Sequence, residues 1–212
     1  MNFGSIQYLN LLPFQTFLKK RIKQSAPRMN LRKKRAVPSD INRLFHSRKV
    51  DAGFISSATS KGCRCTDAGI VGIGKVYSVL LLKGKEKDDI ASASSNLLAK
   101  KLGLKGEVII GDRALKYYLE GKEALDLSLE WQKQKGLPFV FARLCYNKNG
   151  AFYKKIAHEF VNTKVKIPQY ILKKAAEQRG ISPKEARWYL EHIHYRIGKK
   201  EKKALEIFLR GV

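Results

Sequence analysis

From Asn2 to Ala142, segments patterned as buried strands alternate with segments patterned as helices, and no other feature of the chain restricts its fold as much. Residues 2–9 alternate apolar with small or polar side chains. Asn10-Leu11-Leu12-Pro13 then opens a helix-compatible run to Lys23, with Pro13 near its first turn. Pro38-Ser39-Asp40 precedes Ile41, Leu44 and Phe45 at helical spacing, which predicts a helix capped by Ser39 or Asp40 and ending near Lys49. Strands are expected at 50–55, 70–73, 76–82 and 107–110. Ser92-Ala93-Ser94-Ser95 heads a helix bearing Leu97, Leu98 and Leu102, and Gly111-Asp112 heads another through Tyr118. Trp131 sits on a helical turn after Asp126. Residues 137–142 return as a strand with Pro138 at its start, where a missing amide hydrogen is tolerated. Beyond Phe152 only helices are expected, at 151–163, 168–179, 183–194 and 199–209. Alternation followed by helices predicts an α/β protein with mainly parallel sheets.

Charge bears on partners rather than fold. The 43 Lys and Arg against 18 Asp and Glu give a formal +25, which draws anions, nucleic acid or acidic lipid without choosing among them. One basic run comprises Lys19, Lys20, Arg21, Lys23, Arg28, Arg32, Lys33, Lys34 and Arg35, and a second Lys199, Lys200, Lys202 and Lys203; both read equally as solvated faces or as binding patches. Cys63, Cys65 and Cys145 are an odd number behind a strand-like start rather than a secretory one, so a reducing, cytoplasmic compartment is expected. The longest apolar run, 76–82, falls far short of the roughly 20 residues of a membrane helix. Cys63-x-Cys65 lacks the spacing and second ligand pair of a zinc site. His192-x-His194, if helical, points its rings about 200° apart. No metal site is expected.

Ligands of open α/β sheets bind beyond the carboxyl ends of strands. Asn10 follows the first strand, Ser56 and Ser57 follow 50–55, Ser92, Ser94 and Ser95 precede a helix, and Asp112 follows 107–110. Hydroxyls and free amides at helix starts suit a carboxylate or phosphate. Each residue alone also reads as a helix cap worth about 1 kcal/mol, but caps need not gather at the ends of different strands. His46 and His158 fall within helical patterns, and no Ser-His-Asp or Cys-His spacing is present. Gly72-Ile73-Gly74-Lys75 lacks both the Walker continuation and the third glycine of a dinucleotide fingerprint. The residues indicate a small-anion cleft without an evident catalytic base.

Six blocks carry a family resemblance: Tyr8-Leu9-Asn10-x-x-Pro13; 51–57 (Asp-Ala-Gly-Phe-Ile-Ser-Ser); Ser78-Val79-Leu80-Leu81; Ser92-x-Ser94-Ser95-x-x-Leu98-Ala99; Ile110-Gly111-Asp112-x-Ala114-Leu115; and Asp126-Leu127-x-x-x-Trp131 continuing through Gly136-Leu137-Pro138-Phe139-Val140-Phe141-Ala142. In this order they resemble the chorismate dehydratase family of the futalosine route to menaquinone, over about residues 4–142. The family's usual Thr-Ser pair is here Ala93-Ser94-Ser95, which keeps hydroxyls and alters one contact. The resemblance implies a two-lobed type II periplasmic-binding-protein-like fold with a ligand cleft between lobes. It implies lobe I at 1–76 and 146–212, lobe II at 77–145, and crossings near Tyr77 and Leu144. It further implies a lyase that converts chorismate to 3-[(1-carboxyvinyl)oxy]benzoate and water with no cofactor and no metal. Within that scheme Asn10 and Ser78 are the catalytic candidates, Ser56, Ser57, Ser92, Ser94 and Ser95 the carboxylate holders, and the substrate's own enolpyruvyl carboxylate the proton acceptor. Asp112 is a substrate ligand, an alternative base or a helix cap.

Two other readings stay open. Residues 175–186 read as helix-turn-helix, with Arg187, Arg196 and the later lysines within reach of nucleic-acid phosphates. The same two-lobed architecture also serves non-catalytic small-anion binding.

Overall fold

Phe3, Gly4 and Ser5 are buried because their strand, β1 (Asn2–Ser5), is flanked on both sides by parallel neighbours, β2 (Arg32–Arg35) and β3 (Ala52–Ser56). The computed structural model describes residues 1–24 and 31–211, so Arg28 of the first basic run lies outside the described residues. A 3-10 turn at Leu9–Leu11 leads from β1 into α1 (Leu12–Gln24), and α2 (Pro38–His46) lies over β1 and β3. Gly4 permits that close packing, since a Cβ there would come within 2.8 Å of Ile41 Cγ2. β4 (Cys65–Gly72), β8 (Phe139–Tyr146) and β9 (Ile193–Arg196) complete a six-stranded sheet in the order β2-β1-β3-β8-β4-β9. β5 (Val79–Leu82), β6 (Glu107–Ile110) and β7 (Leu125–Asp126) form a smaller sheet in the order β6-β5-β7. With it go α3 (Ala93–Lys101), α4 (Gly111–Leu119) and α5 (Leu127–Lys135). The larger sheet carries α6 (Gly150–Val161) and α9 (Lys199–Phe208), and α7 (Gln169–Glu177) packs on α8 (Pro183–Glu191).

The sheets are not mainly parallel. Only the β1–β2 and β1–β3 pairs are; β3–β8, β4–β8, β4–β9, β5–β6 and β5–β7 all run antiparallel. The chain leaves the larger sheet after β4 and comes back from the smaller one as β8, which slots between β3 and β4 in the opposite direction. Simple alternation does not encode that return. Because Phe139–Tyr146 is hydrogen-bonded into the larger sheet, the second crossing falls ahead of Phe139 rather than near Leu144.

Other differences have local causes. Arg32–Arg35 forms an exposed edge strand, hidden in the sequence because four consecutive cations lack apolar alternation; charge on an edge discourages further strand pairing. α2 is preceded by Val37 and has no side-chain cap, so Ser39 and Asp40 lie inside its first turn. α8 ends at Glu191 and His194 belongs to β9, opposite Val71, so the two histidines do not share a helix. Cys65 and Cys145 face each other across β4 and β8 and are joined in a disulfide, a bond that the expected reducing compartment does not favour, leaving Cys63 as the free thiol. No helix among the described residues is long and apolar enough to cross a membrane.

One apolar core runs beneath both sheets. On the larger side Phe14 meets Phe54 and Phe160 edge-on, with ring centroids 5.0 and 5.1 Å apart. Trp131 of α5 and Phe208 of α9 both pack on Phe139, which ties the smaller unit to the last helix. Burying large rings of this kind stabilises by roughly 1.5–3 kcal/mol each.

Candidate functional site

Between the two sheets lies a narrow cavity of about 80 Å³ built from strand ends. Tyr8 and Asn10 enter it from the turn after β1, Ser56 from the end of β3, Ser78 from just ahead of β5, Ser92 and Ser95 from the start of α3, and Gly111 from the end of β6. Ile6, Phe54, Ile70, Phe141 and Ile193 supply apolar wall. Among the described residues the lining contains no Asp, Glu, His, Lys or Arg. Its one titratable side chain, Tyr8, is pushed up to about 12 by burial and by the nearby Asp89 and Asp112 carboxylates, so it is a neutral phenol near pH 7.

Backbone geometry fixes this wall. Gly111 has φ +65°, and a Cβ on it would meet the Tyr8 ring at 2.9 Å, so glycine is required both for the turn into α4 and for the tyrosine beside it. The Gly111 N–H donates to the Ser78 carbonyl at 2.8 Å. Just before Ser78, the Val76 and Tyr77 N–H groups both donate to Asp126 Oδ2, at 2.9 and 2.7 Å, while Asp126 Oδ1 caps α5 through Ser128 and Leu129. Tyr77 is held at φ +61°, a conformation costly for a non-glycine residue, with its ring among Tyr118, Trp188 and His192. One carboxylate therefore pins the first crossing.

The sequence candidates separate into three groups. Asn10, Ser56, Ser78, Ser92 and Ser95 line the cavity. Among the described residues no hydrogen bond engages the Asn10 side-chain amide, while the Asn10 backbone carbonyl accepts from the Tyr195 hydroxyl at 2.7 Å. Ser92 caps α3 by accepting from the Ser95 N–H, and its hydroxyl bonds the Ser95 hydroxyl at 2.8 Å. Ser94 lies behind the lining, where it bridges the two sheets: its Oγ is 2.6 Å from Ser56 Oγ and accepts from the Ala58 N–H. Ser57 is buried away from the lining, and its hydroxyl has no partner among the described residues.

Asp112 lies in an adjoining surface groove, not in the cavity lining. It does not cap α4, which follows Ile110 without a side-chain cap; instead it accepts from the Leu9 N–H at 3.0 Å and from Arg179 Nε at 2.8 Å. Burial raises its pKa, opposed by the Leu9 bond and the Arg179 charge. Arg179 also donates to the Gln7 carbonyl, so the turn between α7 and α8 is engaged against the cleft rim. Helix α8 presents Tyr189 to Ser78, hydroxyl to Oγ, at 2.8 Å. Sequence reasoning missed Tyr189, Tyr195 and Arg179, whose partners lie far away in the chain; Tyr8 stood within a quoted block and was passed over.

Comparisons with known proteins bear on the family and the fold. A chorismate dehydratase of Campylobacter jejuni is 43% identical over 216 residues, covering 100% of this chain and 97% of that protein. Among solved structures, a protein of Archaeoglobus fulgidus superposes with a TM-score of 0.75 at 14% identity, covering 99% of this chain and 95% of that one. The periplasmic aliphatic sulphonate binding protein of Escherichia coli gives a TM-score of 0.61 at 12% identity, covering 99% and 86%, so the fold is that of the periplasmic binding proteins. A model of the menaquinone biosynthesis family matches residues 1–107 and 90–212; with a cleft of this build and a relative of this identity, the chain belongs to that family.

Proposed function

We propose that this protein is a cytoplasmic chorismate dehydratase that takes water from chorismate to give 3-[(1-carboxyvinyl)oxy]benzoate. The observation that carries the reading is the cleft lining: in a chain 43% identical to a chorismate dehydratase, it offers amides, hydroxyls and apolar wall but no side chain that is charged at neutral pH. A general base is thus missing from the wall, and the substrate brings its own. Its enolpyruvyl carboxylate takes the ring proton, the neighbouring hydroxyl leaves, and that proton completes the departing water. The ring becomes aromatic, and no net electron transfer enters the balance, so the scheme needs no cofactor.

The chain's part is orientation and polar stabilisation in a site that excludes water. Asn10, with its side-chain amide uncommitted, stabilises developing charge, and Ser78 donates a hydrogen bond to a substrate oxygen. Ser92 and Ser95 at the start of α3 hold a carboxylate, assisted by the helix dipole. Ser56 and Ser94 exchange their mutual bond for substrate as the two lobes, one built on each sheet, open and close. Asp112 clasps the rim, and Ser57 supports the wall from behind. Lys19, Lys33, Arg35 and Lys174 border the adjoining groove, which shares Ile6 and Tyr8 with the cavity, and they steer the dianionic substrate inward.

Incubation of the purified protein with chorismate, followed by mass and ultraviolet absorbance, tests this. Product forming at a rate proportional to protein supports it. Folded protein that binds chorismate and releases it unchanged would instead be a small-anion binder of the same architecture.

A further inference from the structure

Behind Ser78 stands a group that the scheme above does not use. Tyr189 is buried on α8, and its hydroxyl lies 2.8 Å from Ser78 Oγ. Two hydroxyls can share such a bond in either sense. Were Ser78 the donor, the Tyr189 proton would be left in the protein interior without an acceptor, because no other hydrogen bond reaches that hydroxyl among the described residues. With Tyr189 as donor both protons are placed, its own on Ser78 Oγ and that of Ser78 toward the cavity that Ser78 lines.

We infer that Tyr189 is a positioning residue of the dehydration: its hydroxyl donates to Ser78 Oγ and thereby holds Ser78 as a hydrogen-bond donor to the substrate oxygen it faces. This rests on the function proposed above. Neither hydroxyl gains or loses a covalent bond. As negative charge grows on the departing oxygen, Ser78 donates more strongly, and the bond from Tyr189 offsets the loss of electron density on Oγ. Burial keeps the phenol protonated far beyond neutral pH, so the donor state does not change with pH in the working range. Tyr189 and Ala186 are both buried on this helix, and Phe at 189 keeps the ring and removes one oxygen.

The test is a double-mutant cycle on chorismate turnover with Y189F, S78A and the pair, with thermal unfolding of each. Y189F should lower kcat by about tenfold with little change in KM, and should add almost nothing in the S78A background. Wild-type kcat in folded Y189F, or an equal loss in both backgrounds, overturns the inference while wild-type turnover leaves the proposed function standing. Wild-type protein inert toward chorismate strikes the proposed function itself. Should Y189F not fold, 3-fluorotyrosine placed at 189 keeps the hydroxyl. Its fluorine resonance should move when 3-[(1-carboxyvinyl)oxy]benzoate is added and stay still in S78A, whereas no movement in either chain overturns the inference.

Discussion

The front of the cleft and its backing come from different stretches of chain. The residues that line it lie almost wholly before residue 143, at the ends of β1, β3 and β6 and the start of α3. Several groups that brace the cleft come from the last third: Tyr189 on Ser78, Tyr195 on the Asn10 backbone carbonyl and, at the rim, Arg179 on Asp112. The front is made of small polar groups that can meet a ligand, and the backing of long side chains with polar tips, among them the buried phenol of Tyr189 and the half-buried one of Tyr195. A cleft of neutral donors gains its orientation from such support, because a serine or an asparagine on a turn does not by itself fix where its proton points.

Removal of a front group should have the largest effect. Asn10→Ala is expected to lower kcat/KM for chorismate by about 100-fold without lowering the melting temperature, since its side-chain amide has no hydrogen-bond partner among the described residues. A comparable fall in stability would mean that Asn10 belongs to the backing. Next comes Arg179→Met, which leaves the Asp112 carboxylate, among the described residues, with the Leu9 amide alone. Chemical denaturation should show a loss of about 2 kcal/mol, and steady-state kinetics a rise in KM larger than the fall in kcat.

Tyr195→Phe removes the donor to the Asn10 carbonyl, for about 1 kcal/mol of stability and a few-fold loss of kcat. No change in kcat would confine Tyr195 to stability. The smallest effect concerns His194, on the backing strand β9. Its folded pKa is lowered, chiefly by burial, from the ordinary 6.5. A depressed value gives stability that is present above the unfolded pKa and lost as pH falls through the folded one. Wild type should therefore lose more melting temperature than His194→Gln between neutral and mildly acidic pH.

The same division explains what the sequence disclosed. The place of Asn10, Ser92 and Ser95 at the cavity was legible because a strand end, a helix start and a small polar residue follow one another within a few positions, so that position has a local signature. Ser94 has that signature too, yet it faces Ser56 across the sheets, since adjacent positions at a helix start point in different directions. Asp112 read as a ligand, an alternative base or a helix cap because the sequence does not show Arg179, 67 positions later, folding back onto it. The strand alternation located most elements but not the antiparallel return of β8 or the all-cationic edge strand β2. Both depend on which strand lies alongside, which no local pattern states.

The most direct test of the central claim compares product formation from chorismate by wild type and by a folded Asn10→Ala, Ser78→Ala double variant at equal concentration. The account predicts steady formation of 3-[(1-carboxyvinyl)oxy]benzoate by wild type and only the uncatalysed rate with the double variant. Equal rates from the two proteins, or no product from folded wild type, would contradict it.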